Sequence, residues 1–402
     1  MRGGVVLQPL KHGNSSFGVC MLQRTTPSAE AAATPPGGSC VDDFSSLKRS
    51  PEVKRITTNS IKKNARRIIG WIIVAKFVAI ILFADFFAPY DYPEQSRSEP
   101  SAPATTIQFR GLHPVIYPKR LTDPLRLIYE EDRTRPHSVE IFVHGYQYKL
   151  LGIIPSDLHL FGVEQDVGAP RIDLLGTDNL GRDRFSRLMH AVRFSLIVCS
   201  IGVLLACLIG IVIGVTSGYS TKFVDTVLMG ITDAMLSLPT LILILAARAA
   251  FPLELPPIRA AFLLLFIFAL TGWAEMARLA RGLVVATRER EFVTAAVATG
   301  VTRSRILFRH ILPNIFAPLM TQAILMLPAF LLAEIALSYL GVGLQEPEAS
   351  LGNMLTAAGD LNQLRQHPIS ILSPAILIFI FVIGIRLLSD RKRTQPETFR
   401  TN

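Results

Sequence analysis

The sequence predicts an all-α polytopic membrane protein with six transmembrane helices and a small extracytoplasmic α+β insertion after the first. Three observations carry this. Half of the 402 residues are hydrophobic and only 18% are charged. The apolar residues gather into runs near the length that crosses a bilayer, about 20 residues at ~1.5 Å each. The net charge of +10 comes mostly from the tail before the first run and from one segment between later runs. Positive charge flanking membrane spans is a topogenic signal, so no nucleic-acid partner is expected.

Residues 1–67 are rich in Ser, Thr, Pro, Gly and charge without sustained apolar periodicity, which reads as a mostly disordered cytoplasmic tail. Its end is basic, with Lys54, Arg55, Lys62, Lys63, Arg66 and Arg67 before the first apolar run, 68–88. That run is too long, and its leader far too long, for a cleaved signal peptide, so a retained anchor is expected. Lys76 and Asp85 interrupt it; Asp85 can reach the outer interface, whereas Lys76 needs a cavity, a partner or snorkelling.

Residues 89–190 form the one sizeable soluble piece. SVEIFVHGYQYKLLGI alternates apolar and polar residues around His144 and Gly145, a β-hairpin signal. About 100 residues that include a polar linker bury only a modest core. The stretch 173–196 alternates Arg182, Arg184, Arg187 and Arg193 with Phe185, Leu188 and Met189, the pattern of an amphipathic helix at lipid headgroups.

The main membrane body is 191–390. Its first run, from about Leu196 to Thr216, carries Gly210 and Gly214 at the small-xxx-small spacing of close helix contacts. A third span is read from about Phe223 to Ala247, kinked by Pro239, with Asp225 and Asp233 on one face. The fourth runs from Ile258 to Trp273, the fifth from Ile315 to about Leu340 with Pro328 and Glu334, and the sixth from Ile369 to Leu388. A basic cytoplasmic tail, 391–402, follows. Six crossings place both termini in the cytoplasm, together with the charged segment 288–313 between the fourth and fifth runs.

That segment is the leading functional candidate. Glu291–Thr299 is good helix sequence with small Ala295 and Ala296 at its centre, Gly300 ends it, Thr302 can cap a second short helix, and Pro313 tolerates the start of the next span. The product is a helix-turn-helix knob whose small residues permit close backbone contact. Its arginines, Arg305 among them, can bond a partner's carboxylates. A plain solvated connection and an arginine-rich surface against anionic lipid are the competing readings.

The segment resembles the EAA loop of ABC importer permeases: Thr294, Ala295 and Ala296 stand at EAA, Gly300 follows at the motif's spacing, and Leu312 and Pro313 close it. Thr294 replaces the motif's Glu and His310 its Ile. LLGTDNLGRDRFSRL, DAMLSLPTL, RHILPN and LSYLGVGLQEPEASLGNML also look like the peptide/nickel-type permeases of dipeptide and oligopeptide importers, in particular the partner with an extra N-terminal span and external segment. The resemblance covers about residues 65–390. It implies the type I ABC importer permease fold and a bacterial inner membrane. It further implies an assembly with a second related permease, two ABC ATPases and an extracytoplasmic substrate-binding protein, and it assigns ATPase coupling to Glu291, Ala295, Ala296, Gly300, Thr302, Arg305, Leu312 and Pro313.

The chain has no G-x-x-x-x-G-K-[ST] to cradle phosphates. It is therefore not read as an enzyme and is expected to bind no cofactor; ATP and Mg²⁺ would be used by partner subunits. Cys20, Cys40, Cys199 and Cys207 form no disulfide framework, and the separation of His144 and His159 fits no compact metal motif. Asp233 and Glu334 are the candidates for the translocation path, with helix-fixing hydrogen bonds as the competing role. An ion-gradient-driven secondary transporter is the alternative; the prolines at 239 and 328 hint at its broken helices, but no internal repeat supports it.

Overall fold

The computed structural model describes residues 51–389, except 112, 151, 164–168, 253–255 and 341–342; for 51–64 only the backbone is described. Most of the N-terminal tail and the basic tail 391–402 thus lie outside the described residues. Helix α1, Pro51–Phe87, begins well before the apolar run, which shortens the tail expected to be irregular up to residue 67.

Among the described residues of 89–183 the regular elements are all strands, and the helical part of the expected insertion is the start of the helix that begins at Arg184. Strands β1 (Gln108–Arg110), β2 (His113–Ile116) and β5 (His137–Ser138) form an antiparallel sheet in the order β1-β2-β5. Strand β3 (Lys119–Asp123) pairs with β4 (Ile128–Glu131), and β6 (Glu140–Leu150) with β7 (Ile154–Gly162). The hairpin expected around His144–Gly145 exists, but its turn is at Gly152 (φ +75°). His144 and Gly145 lie inside β6, where the register shifts between His144 and Tyr148. A Cβ on Gly145 would stand 2.6 Å from the His159 ring. The missing side chain lets that buried imidazole sit with Nδ1 3.0 Å from the Asp85 carbonyl and Nε2 3.1 Å from the Tyr146 carbonyl, which places the hairpin against the end of α1.

Helix α2, Arg184–Tyr219, is continuous for 36 residues, with no separate interfacial helix before it among the described residues. Asp183 caps it by accepting from the Phe185 and Ser186 N–H groups. Arg182, Arg184 and Arg187 are buried rather than spread on a surface. Apolar spacing made them look like headgroup contacts; instead Asp178 and the sequence-distant Glu346 pair with Arg182 and Arg187, and Arg184 bonds the Thr177 carbonyl and Gln363.

The third run is also not one continuous helix. Helices α3 (Lys222–Ser237) and α4 (Thr240–Ala249) meet at 88°, because Leu238 is extended before Pro239, as the residue preceding proline prefers. Helix α5, Pro257–Arg288, lies against α2. Gly202 meets Phe268, Gly210 meets Met276, and Gly214 meets Ala280, so the small stripe seats one helix on the other. In a bilayer such association rests on van der Waals packing rather than on water exclusion.

The chain continues through α6 (Glu291–Ala298), α7 (Arg303–Ile306), a π-helical turn (Leu307–Ile311) and α8 (Leu312–Tyr339). Short helices α9 (Leu351–Leu355) and α10 (Leu361–Gln366) lead to α11 (Pro368–Ser389). Phe268 and Phe330 stack at 4.7 Å between α5 and α8. Phe77 and Phe381 meet edge to face at 5.1 Å, and Gly70 faces Gly384, which joins α1 to α11. Among the described residues five helices are long and apolar enough to cross a membrane, or six if the bent α3–α4 pair counts as one span.

Candidate functional site

The hairpin is made by its backbone. Thr299 ends α6, and Gly300 follows with φ +76°. The Gly300 N–H donates to the Val297 carbonyl (3.0 Å) and the Val301 N–H to the Ala296 carbonyl (3.2 Å), the paired bonds of a Schellman turn. Space does not select glycine here, since a Cβ would meet nothing within 4 Å; the left-handed conformation does. Thr302 then takes the extended backbone of an N-cap, but its side chain makes no capping bond, contrary to the role expected of it.

Past the turn, Pro313 offers no N–H, and its ring crowds the carbonyl four residues back. The chain widens there: the Leu312 N–H reaches the Leu307 carbonyl, and the Asn314 amide satisfies the His310 carbonyl at 2.6 Å. Such π-turns recur where helices must serve a site.

One face of the hairpin is anchored and the other is presented. Val293, Ile306 and Ile311 are buried, with Ala296, Val301 and Leu312 half-buried beside them. Glu291, Ala295, Gly300, Thr302, Arg305 and Pro313 are exposed, as are Phe292 and Phe308. Thr294, at the EAA position of Glu, bonds its own helix through the Glu291 carbonyl at 2.9 Å. The Tyr219 hydroxyl donates to the Arg303 carbonyl (3.1 Å), tying the hairpin to the C-terminal end of α2. A cavity of about 800 Å³ between Tyr219, Val224, Arg288, Val297 and Arg303 separates the hairpin from the α2–α3 elbow.

The two candidate path acids fare differently. Glu334 is wholly buried and accepts from Ser195 (3.0 Å) and Ser338 (2.9 Å), and Ser195 Oγ in turn accepts the Leu351 N–H, so the carboxylate joins α2, α8 and α9. Asp233 is exposed and paired with Arg278 of α5. Its face-mate Asp225 accepts from Arg281 Nε and Nη2, each at 2.6 Å. Asp85 of α1 is held by His190 and Arg193 of α2.

Sequence reading missed a buried polar cluster at the N-terminal end of α2. Arg182 pairs with Asp178 (2.7 Å) and Glu346 (2.5 Å), and Arg187 with Glu346 (3.0 Å). The four-residue spacing of Asp178 and Arg182 was a local signal; Glu346, more than 150 residues away in sequence, gave none.

The profile of the family described as binding-protein-dependent transport system inner membrane component matches residues 210–392, which contain the whole hairpin and Glu334. The oligopeptide transport system permease protein OppC of Bacillus subtilis is 34% identical over 218 residues, covering 54% of this chain and 69% of that protein. The chain belongs to this family. The dipeptide transport system permease protein DppC of Alkalihalophilus pseudofirmus is 34% identical over 69% of its length. The di/tripeptide transport system permease protein DppC of Pseudomonas aeruginosa is 34% identical over 70% of its length. As a member, the permease is a multi-pass inner-membrane component of an ABC transporter, and the strand-built insertion precedes the profile match.

Proposed function

We propose that this permease is the transmembrane subunit of an ATP-driven importer of peptides, and that the hairpin 288–313 is where a separate ATPase docks. The observation that carries the reading is the hairpin itself. It presents exposed Ala295, Gly300 and Arg305 on a turn whose bonds are internal, between two membrane helices that transmit its displacement. The relatives named for oligopeptide, dipeptide and di/tripeptide transport support peptides as the cargo. Family membership favours this over an ion-gradient-driven carrier, whose best sign was the broken α3–α4 pair.

The topology follows from counting α3–α4 as one of six spans, with both termini and the hairpin in the cytoplasm. Contacts between distant segments sort consistently with it: Glu346, after α8, meets Arg182 and Arg187 at the start of α2, while Arg303 of the hairpin meets Tyr219 at its end. A second related permease, two ATPases and an external binding protein complete the assembly, with ATP and Mg²⁺ held by the ATPases. ATPase closure would move the hairpin as a body about the π-turn, and the Tyr219 link would pass that movement to α2. Glu334 is assigned to fixing helices and Asp233, still exposed, to the path.

The test is affinity purification of the permease in mild detergent, with ATPase partners scored by mass spectrometry and transport measured after reconstitution. Recovery of ATPases with the chain is expected. Peptide transport by a preparation free of any ATPase would overturn the proposal.

A further inference from the structure

A pocket of about 160 Å³ opens beside the start of α2, lined by Arg182, Arg184, Arg187, Asn179, Asn353 and Gln363 among others. Its three arginines are each more than nine-tenths buried: Arg182 is 5%, Arg184 7% and Arg187 3% exposed. Two carboxylates serve two of them. Asp178 and Glu346 bridge Arg182 and Arg187, and these four charges cancel.

Arg184 is left over. Its Nε donates to the Thr177 carbonyl (3.2 Å) and its Nη2 to the Gln363 side-chain oxygen (3.4 Å), both neutral acceptors, and it makes no ion pair with any described carboxylate. The neighbouring Asp183 does not supply one. Its oxygens accept from the Phe185 and Ser186 N–H groups and the Ser186 hydroxyl. A buried guanidinium is stable only when a counter-charge or a full set of acceptors meets it. The pocket therefore has one excess positive charge, a planar donor suited to a carboxylate, and amide side chains at its rim.

We infer that this pocket binds a monoanionic carboxylate, and that its ligand is the free C-terminal carboxylate of a peptide entering from the outer face. The inference rests on the peptide-importer reading given above. A single excess charge matches a carboxylate better than a phosphate dianion. The C-terminus is also the one anionic group that every unmodified peptide carries whatever its side chains, so a site of this kind serves cargo of varied sequence. The small volume admits the end of a chain rather than a whole peptide.

The experiment uses the complete transporter in proteoliposomes, with its binding protein fully loaded by trialanine or by C-terminally amidated trialanine. Import is followed against the concentration of loaded binding protein, so that selectivity exercised by the binding protein itself is held constant. Wild type is expected to need about tenfold less of the free-carboxylate complex for half-maximal import, the scale of one charge-assisted hydrogen-bonded pair. Arg184→Gln should bring the two peptides within about twofold, Arg184→Lys should keep part of the preference, and Gln363→Leu, which removes no buried charge, should lower it in the same direction. A preference unchanged in Arg184→Gln and Gln363→Leu overturns the inference. So does an equal loss for both peptides, which would assign Arg184 to docking the binding protein. Wild type that imports neither peptide overturns the peptide reading itself, a result distinct from either.

Discussion

Arginine does opposite work at the two ends of α2. At its N-terminal end Arg182 and Arg187 are buried and bridged by Asp178 and Glu346, which fastens the approach to α2 to the segment after α8. At its C-terminal end the hairpin's Arg303, Arg305 and Arg309 are exposed, and the turn is held by backbone bonds and three buried apolar side chains. One end is locked by charge that has left solvent. The other keeps its charge available for a partner and puts its order into the main chain. A lever needs this division: a fixed end that resists displacement and a presented end whose shape survives without the partner.

The contrast can be broken first at the locked end. Glu346→Ala leaves two buried guanidinium groups sharing Asp178. Because Glu346 is itself half exposed, the expected loss is about 2–3 kcal/mol rather than the ~3–5 of a fully enclosed pair. A lower thermal midpoint of the purified permease, with ATPase recovery per folded molecule unchanged, is the expected result; an unaltered midpoint would show that the bridge does not fasten this end.

At the presented end the effect should be reversed in kind. Gly300→Val forces a β-branched residue into φ +76°, a local cost of about 1–3 kcal/mol. Membrane insertion and the thermal midpoint should change little, while ATPase recovery falls or hydrolysis uncouples from uptake. Normal coupling in this variant would remove the turn from the proposed docking site.

The smallest effect concerns the insertion. Burial, with the Asp173 carboxylate beside it, pushes Glu99 up from 4.5 to about 7, and one of its oxygens has no partner. The folded state therefore holds this proton more tightly than the unfolded chain, so stability is greatest at low pH and declines as pH rises from about 4.5 to about 7. Glu99→Gln should flatten part of that decline in thermal midpoints measured across this window. Part should persist, because burial pushes Asp183 up to about 7 as well. A decline of unchanged size would assign the dependence elsewhere.

Local signals carried the hairpin well. Gly300, the helix before it and Pro313 after it are decided by φ preference and a missing N–H, which adjacent residues reveal. Thr302 was legible as an N-cap position but not as one whose hydroxyl goes unused, since a helix of four residues, Arg303–Ile306, is set by its neighbours. The β6–β7 turn was placed eight residues early, at His144–Gly145 instead of Gly152, because the glycine that looked like a turn serves the packing of His159.

The sequence by itself determined that this is a multi-span membrane protein with a charged helical hairpin between two apolar runs, because run length, helix breakers and flanking charge are properties of consecutive residues. Only the tertiary structure decided what the polar groups inside the body do. Arg182 and Arg187 became a buried bridge, Glu334 a link among three helices, and Arg184 a charge with no counter-ion among the described residues, since the desolvation that governs each depends on partners supplied from far along the chain.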